Sequence, residues 1–285
     1  MREHPWYTRL AIHAVLVALA LPFCMPLLWM IGTSLKTPDQ VYPKMVDTSV
    51  ASFAKQWWPS PVQWQNYPEA LAYVPFPLYL RNTLFLCALN VVGAVGASAL
   101  AAYAFAKLEW RGRKVLFAIV IATMILPGEV RMIPTFALYR WLGWYGTYLP
   151  LVVPAFMGSA FFIFLLRQFF QTIPDDLCDA ARIDGCSEWG ILWRIVLPLS
   201  KPALATCALF QLMGTWNDFG GPLLYLNDQS KYTLAFGLQQ FYGAYGGEWA
   251  KLMAAATVFT LPIIVLFFLA QRTFIQGIAT TGVKG

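Results

Sequence analysis

Apolar residues gather in six runs, at about residues 10–32, 78–104, 114–135, 148–168, 202–225 and 250–271, and polar residues gather between them. Each run is close to the roughly 20 residues that a helix needs to cross a hydrocarbon layer about 30 Å thick. None alternates apolar and polar positions as barrel strands do. A segment in a water-free layer must pair its own backbone N–H and C=O groups, so each run is predicted to be helical. The expected fold is all-α: a polytopic membrane protein with six transmembrane helices. The first run, "LAIHAVLVALALPFCMPLLWMIG", is too long for the core of a signal peptide, and no small-x-small cleavage site ends it cleanly, so it is read as a span.

Polar and small residues inside the runs refine this picture. In the second, Gly93 and Ala97, Ala97 and Ala101, and Ser98 and Ala102 lie four apart, a smooth stripe that another backbone can approach. In the third, "ILPGEVRMIP" sets Pro127, Gly128 and Pro134 around Glu129 and Arg131. A break is predicted there, with the two charges pairing with each other or with neighbours. The fifth carries "FQLMGTWNDFGGPLLYL", where Gly214, Gly220, Gly221 and Pro222 loosen the helix. Gln211, Asn217 and Asp218 are costly against lipid. They either line a solute path, with Trp216 and Phe219 able to stack on sugar faces, or bond between helices or at an interface. Gln211, Trp216, Asn217 and Asp218 are therefore the candidate pathway residues. The loop over residues 33–76, rich in Trp, Tyr and Pro, is read as a cap on the outer face, either an interfacial anchor or a docking surface.

Charge then orients the chain. It is 59% hydrophobic and 12% charged with a net charge of +6, against about 25% charged in soluble domains. Basic residues stand singly at the ends of runs, the pattern that sets topology and not one that binds nucleic acid. Arg2, Arg9, Lys107, Arg111, Arg113, Lys114, Arg167, Arg182, Arg194, Lys201, Arg272 and Lys284 fall in segments that would share the cytoplasmic side, with both termini.

Five cysteines occur without CxxC spacing, and the two histidines, His4 and His13, lie at one end. Neither a metal-ligand cluster nor a Ser-His-Asp or Cys-His arrangement follows, so no catalytic residues are assigned. A GxxxxGK[ST] phosphate loop is missing as well. Any nucleotide-driven work must come from another chain.

Five acidic residues, Asp175, Asp176, Asp179, Asp184 and Glu188, interrupt the apolar chain between the fourth and fifth runs. "QTIPDDLCDAARIDG" predicts a short helix with Thr172 as cap, Asp175 and Asp176 in its first turn and Gly185 as its stop. Ile173, Leu177, Ala180 and Ala181 are assigned to one face, and an Ala-Ala surface suits close docking into a groove. A second helix is predicted from near Ser187 to Pro198, with Trp189 and Trp193 suited to the membrane interface. Mere connecting helices are the alternative.

This segment resembles the EAA loop of bacterial ABC importer permeases: Glu-Ala-Ala, three residues, Gly, nine residues, Ile, one residue, Leu-Pro. Here it reads Asp179-Ala180-Ala181, Gly185, Ile195, Leu197 and Pro198, with Asp for Glu as the departure. "GTWNDFGGPLLYL" and "QRTFIQGIATTGVKG" are similar to the MalG-type members of the carbohydrate-uptake branch. The resemblance implies a type I ABC importer permease fold in the bacterial plasma (inner) membrane. It implies a coupling helix, including Asp184, that docks on an ABC ATPase dimer, which would bind ATP and Mg; this chain would hold no cofactor. A second, MalF-like permease, an extracytoplasmic solute-binding protein and a carbohydrate or polyol solute are the other implied partners. Two divisions are expected: an N-terminal span and outer loop over 1–77, and a transmembrane core over 78–285 with its coupling loop at 169–201. A self-contained secondary transporter or channel is the competing reading. It would call for ionisable residues near the middle of several spans and often an internal repeat. A membrane enzyme would need a convergent His, Asp or Glu cluster.

Overall fold

The structure, a computed structural model, describes residues 6–42, 57–242 and 248–282, with side chains to Leu269. Arg2, Lys284 and the side chain of Arg272, used above to orient the spans, lie outside that description, as does His4. All regular structure among the described residues is helical. Helix α1 (Trp6–Ser34), α3 (Phe76–Lys107), α6 (Leu149–Phe170, interrupted at Gly158) and the Trp249–Leu269 part of α11 (Trp249–Gly282) are long and apolar enough to cross a membrane. Two bent pairs raise the number of spans to as many as six: α4 (Arg113–Thr123) with α5 (Gly128–Trp141) at 97°, and α8 (Glu188–Leu199) with α9 (Lys201–Trp216) at 80°. In α1 the only buried residues are Thr33 and Ser34. An apolar helix exposed along its length belongs in lipid or against another chain.

The break in the third run lies where its composition puts it. Helix α4 ends at Thr123, and Pro127 caps α5. Proline cannot supply the missing N–H, and it drives the residue before it out of helical geometry. Glu129 sits in the first turn of α5, and it forms no ion pair with Arg131. The fifth run also stops early: α9 ends at Trp216, and a separate turn of helix, α10, covers Gly220–Tyr225.

The chain divides into two compact units, Met1–Phe76 with Leu238–Pro262, and Pro77–Gly237 with Ile263–Gly285. In the first, α2 (Asn66–Tyr73), from the described part of the segment that follows α1, is strapped to the end of that helix. Asn66 Nδ2 donates to the Ser34 and Lys36 carbonyls at 2.8 Å each. Lys251 pairs with Glu69 at 3.1 Å.

In the second unit the small-residue stripe of α3 meets the bend of α6. Gly158 has φ +81°, and a Cβ there would lie 3.5 Å from the Ser98 amide nitrogen. Ser159 N–H donates to Ser98 Oγ at 2.9 Å. A Cβ on Gly93 would fall 2.7 Å from the Phe156 ring, whereas Gly96 faces open space. Gly93→Leu should therefore lower stability by about 1–3 kcal/mol, read as a fall in thermal midpoint in detergent. Gly96→Leu is the control; an equal fall for both would refute the packing argument.

Around this stripe a core forms from Ala99, Ala102 and Tyr103 of α3, Phe162, Leu166 and Phe170 of α6, and Ile191, Leu192 and Val196 of α8. Cys178, from the first polar helix between the spans, is buried in the same cluster. The polar interruption is thus anchored in the core of this unit.

Candidate functional site

Helix α7 (Asp175–Ile183) is capped by Pro174, with Asp175 and Asp176 in its first turn. Thr172, expected as the cap, instead donates its hydroxyl back to the Phe169 carbonyl at 2.7 Å. Pro174 has no side-chain acceptor to offer the first turn; the Leu177 N–H instead bonds the Pro174 carbonyl at 3.3 Å. At the other end Cys186 N–H bonds the Ala181 carbonyl at 2.9 Å and Gly185 N–H the Arg182 carbonyl at 3.0 Å. Together with φ +80° at Gly185, this is a complete Schellman stop. Ser187 then caps α8, accepting from Gly190 N–H at 3.3 Å. The second helix does not end at Pro198 but runs on to Leu199. A wider π turn over Leu192–Val196 precedes the final turn, Leu197–Leu199, at whose start proline stands.

The faces of α7 separate residues that the sequence reading grouped. Cys178 is buried, and Ala181 packs against the core. Leu177, Ala180 and Ile183 point outward, Ile183 being 87% exposed. At 100° per residue, Asp176 and Asp184 share that outward stripe, while Ala181 rotates toward the core. Ile195 and Leu197 also pack on the core, while Pro198 is exposed.

A chain of charged bonds ties these helices together. Arg182 donates to Asp179 at 2.6 Å and, across the Gly185 turn, to Glu188 at 2.8 and 3.4 Å. The Glu188 and Asp179 carboxylates hold the Arg182 guanidinium in its charged form, above its ordinary range. Tyr103 OH of α3 donates to Glu188 Oε2 at 2.5 Å. Lys107, at the end of α3, donates to the Ile173 carbonyl at 2.6 Å and to Asp175 at 2.5 Å. A cavity of about 890 Å³ opens among Lys107, Arg113, Asp175, Arg182 and Glu188. In the sequence Lys107 marked only topology and Tyr103 only an apolar run; their roles appear with the contacts.

Two further cavities, of about 280 and 480 Å³, share Asn90, Leu151 and Gln211 and form a groove between α3, α6 and α9. Thr215, Asp218 and Thr233 line the first; Thr123, Arg131 and Ser159 line the second. Of the candidate pathway residues, the structure brings Gln211 and Asp218 to this groove. Asp218 Oδ1 accepts from Gly221 N–H at 2.9 Å. Trp216 is buried, and Asn217 Nδ2 donates to the Met213 carbonyl at the end of α9. Asn90 and Arg131 enter the groove without having been singled out for it. An asparagine in the middle of an apolar run was the available signal.

Residues 93–280 match the family described as binding-protein-dependent transport system inner membrane component. The chain belongs to this family. The permease is 30% identical to the arabinooligosaccharides transport system permease protein AraQ of Bacillus subtilis (strain 168), over 100% of both chains. It is 34% identical to the sn-glycerol-3-phosphate transport system permease protein UgpE of Yersinia enterocolitica, over 81% of this chain and 85% of that one. Its fold superimposes with a TM-score of 0.80 and 25% identity on a chain of a bacterial ABC transporter involved in the import of the acidic polysaccharide alginate, covering 96% of this chain and 100% of the other. The permease is thus a multi-pass inner-membrane transport protein of the ABC importer permease fold.

Proposed function

We propose that the permease forms half of the solute path of an ATP-driven importer for a sugar or related polyol, and that α7 is its docking helix for a cytoplasmic ABC ATPase dimer. The outward stripe of α7 carries this reading: Leu177, Ala180 and Ile183 are exposed on a helix whose other face is sunk in the core. An apolar stripe flanked by Asp176 and Asp184 suits a groove that is apolar at its floor and basic at its rim. In this reading ATP and Mg bind to the ATPase, since the chain carries no phosphate loop. A second, homologous permease completes the path, and a binding protein delivers the solute. The names of the arabinooligosaccharide and glycerol-phosphate relatives support a carbohydrate or polyol class.

The groove supplies the solute contacts in this reading. Asn90, Gln211 and Thr215 offer amide and hydroxyl groups of the kind that bond sugar hydroxyls. Gln211→Leu should lower uptake about tenfold, as one solute hydrogen bond of about 1.5 kcal/mol requires, while membrane abundance stays normal. Uptake would be assayed in cells with glycerol 3-phosphate and an arabinooligosaccharide as trial solutes. Normal uptake of a transported solute by this variant would remove the groove from the path.

The experiment for the function as a whole is reconstitution. The chain alone should neither hydrolyse ATP nor drive uptake, and both activities should appear when the ATPase, second permease and binding protein are added. Hydrolysis by the isolated, contaminant-free chain would overturn the division of labour.

A further inference from the structure

Helix α3 makes polar or lining contacts at its start, middle and end within its unit. It runs for 32 residues without an internal proline, about 48 Å at 1.5 Å per residue. Near its start, Asn82 Nδ2 donates to the Ser230 and Tyr232 carbonyls at 2.8 and 3.0 Å, and Thr83 Oγ1 accepts from Leu234 N–H at 2.9 Å. In its middle, Leu86, Asn90 and Ala94 line the groove. At its far end, Tyr103 and Lys107 hold the polar helices.

The two ties grip α7 at opposite ends. Lys107 holds its first residue, Asp175, and the Ile173 carbonyl just before it. The Lys107 side chain is 2% exposed, so its ammonium group is committed to these partners and cannot swing into water without leaving a buried carbonyl unpaired. Tyr103 holds the last turn indirectly, through Glu188 and the guanidinium of Arg182. With one helix bonded near both ends of another, α7 cannot tilt without moving α3 or breaking charge-assisted bonds, which are about twice as strong as neutral ones.

We propose that Tyr103, Lys107, Arg182 and Glu188 are positioning residues that transmit movement of α7 to α3, and through α3 to the groove at Asn90. This rests on the reading of α7 as the docking helix. Apolar packing of Cys178 and Ala181 holds α7 in place; the polar ties give the movement a direction.

The test needs no solute. In the assembled importer, with the native cysteines replaced, Gln211→Cys reports access to the groove by its rate of reaction with a water-soluble maleimide. ATP with vanadate traps the closed ATPase. Trapping should change the labelling rate at least about fivefold, the lower end of usual coupling between sites. Tyr103→Phe combined with Lys107→Met, and Glu188→Gln separately, should abolish that change while the ATPase still co-purifies and still traps nucleotide. A role in stability alone would lower yield and thermal midpoint yet leave the rate change intact in the complexes that survive, and that result overturns the proposal. So does the absence of any rate change in the reporter without further substitutions. Ile183→Lys in the same background separates the two readings. If it and Ala180→Trp both leave the ATPase bound, the docking reading fails and the relay falls with it. If it releases the ATPase while the Tyr103, Lys107 and Glu188 variants keep the rate change, the relay alone is wrong.

Discussion

Ile183→Lys is expected to release the ATPase from the detergent-solubilised complex while leaving the permease inserted in the membrane. Ile183 is 87% exposed at the last turn of α7 and is not part of the buried core. Its apolar area is therefore free for a partner. Burying such a side chain contributes about 1.5–3 kcal/mol. A lysine forfeits that contribution and places a cation beside Asp184, where it offsets the charge that a basic rim would read. A combined loss of about 3 kcal/mol or more weakens affinity roughly a hundredfold. Co-purification of the ATPase on a tagged permease measures the effect, and membrane abundance is the control. Ala180→Trp should behave similarly by overpacking the same contact. Ala181→Trp should instead disturb the permease itself, because Ala181 packs on the core. ATPase retained at wild-type levels by both Ile183→Lys and Ala180→Trp would show that the outward stripe is not the docking face.

The difference between Ala180 and Ala181 shows how far the sequence could be read. The Asp-Ala-Ala spacing is linear, so it was legible, and so were the spans, whose signal lies in consecutive residues. The break after Thr123 was legible because proline acts on its immediate neighbours. Which alanine turns outward was not, because that choice is made by the core, where Cys178 rather than Leu177 is buried. The ties from Tyr103 and Lys107 were hidden for the same reason. Tyr103 and Glu188 are 85 positions apart, and Lys107 and Asp175 are 68 apart. No local pattern encodes such pairings. In the fifth run, composition marked Gln211, Trp216, Asn217 and Asp218 alike. The early end of α9 then divided them, sending Gln211 and Asp218 to the groove, Trp216 into packing and Asn217 to the helix end.

Gly185 should tolerate asparagine but not valine, and the contrast tells what the glycine is for. A Cβ at this position meets nothing within 4 Å, so space does not forbid a side chain. The φ of +80° does. A left-handed backbone costs most L-residues about 1–2 kcal/mol, β-branched ones more, and asparagine least. Valine would shift the residue toward ordinary helical or extended geometry and break the Cys186-to-Ala181 bond that closes α7. The Arg182–Glu188 pair straddles this turn, so the same shift would pull apart both bonds of the pair. Gly185→Val is therefore expected to uncouple ATP hydrolysis from uptake and to lower stability. Gly185→Ala should be intermediate, and Gly185→Asn close to wild type. The checks are thermal midpoint and uptake per ATP hydrolysed in proteoliposomes. The order Val, Ala, Asn follows from backbone conformation alone. Were Gly185 instead a contact point for the ATPase, asparagine, larger than alanine, would impair coupling more than alanine does, and that reversed order would refute the conformational account.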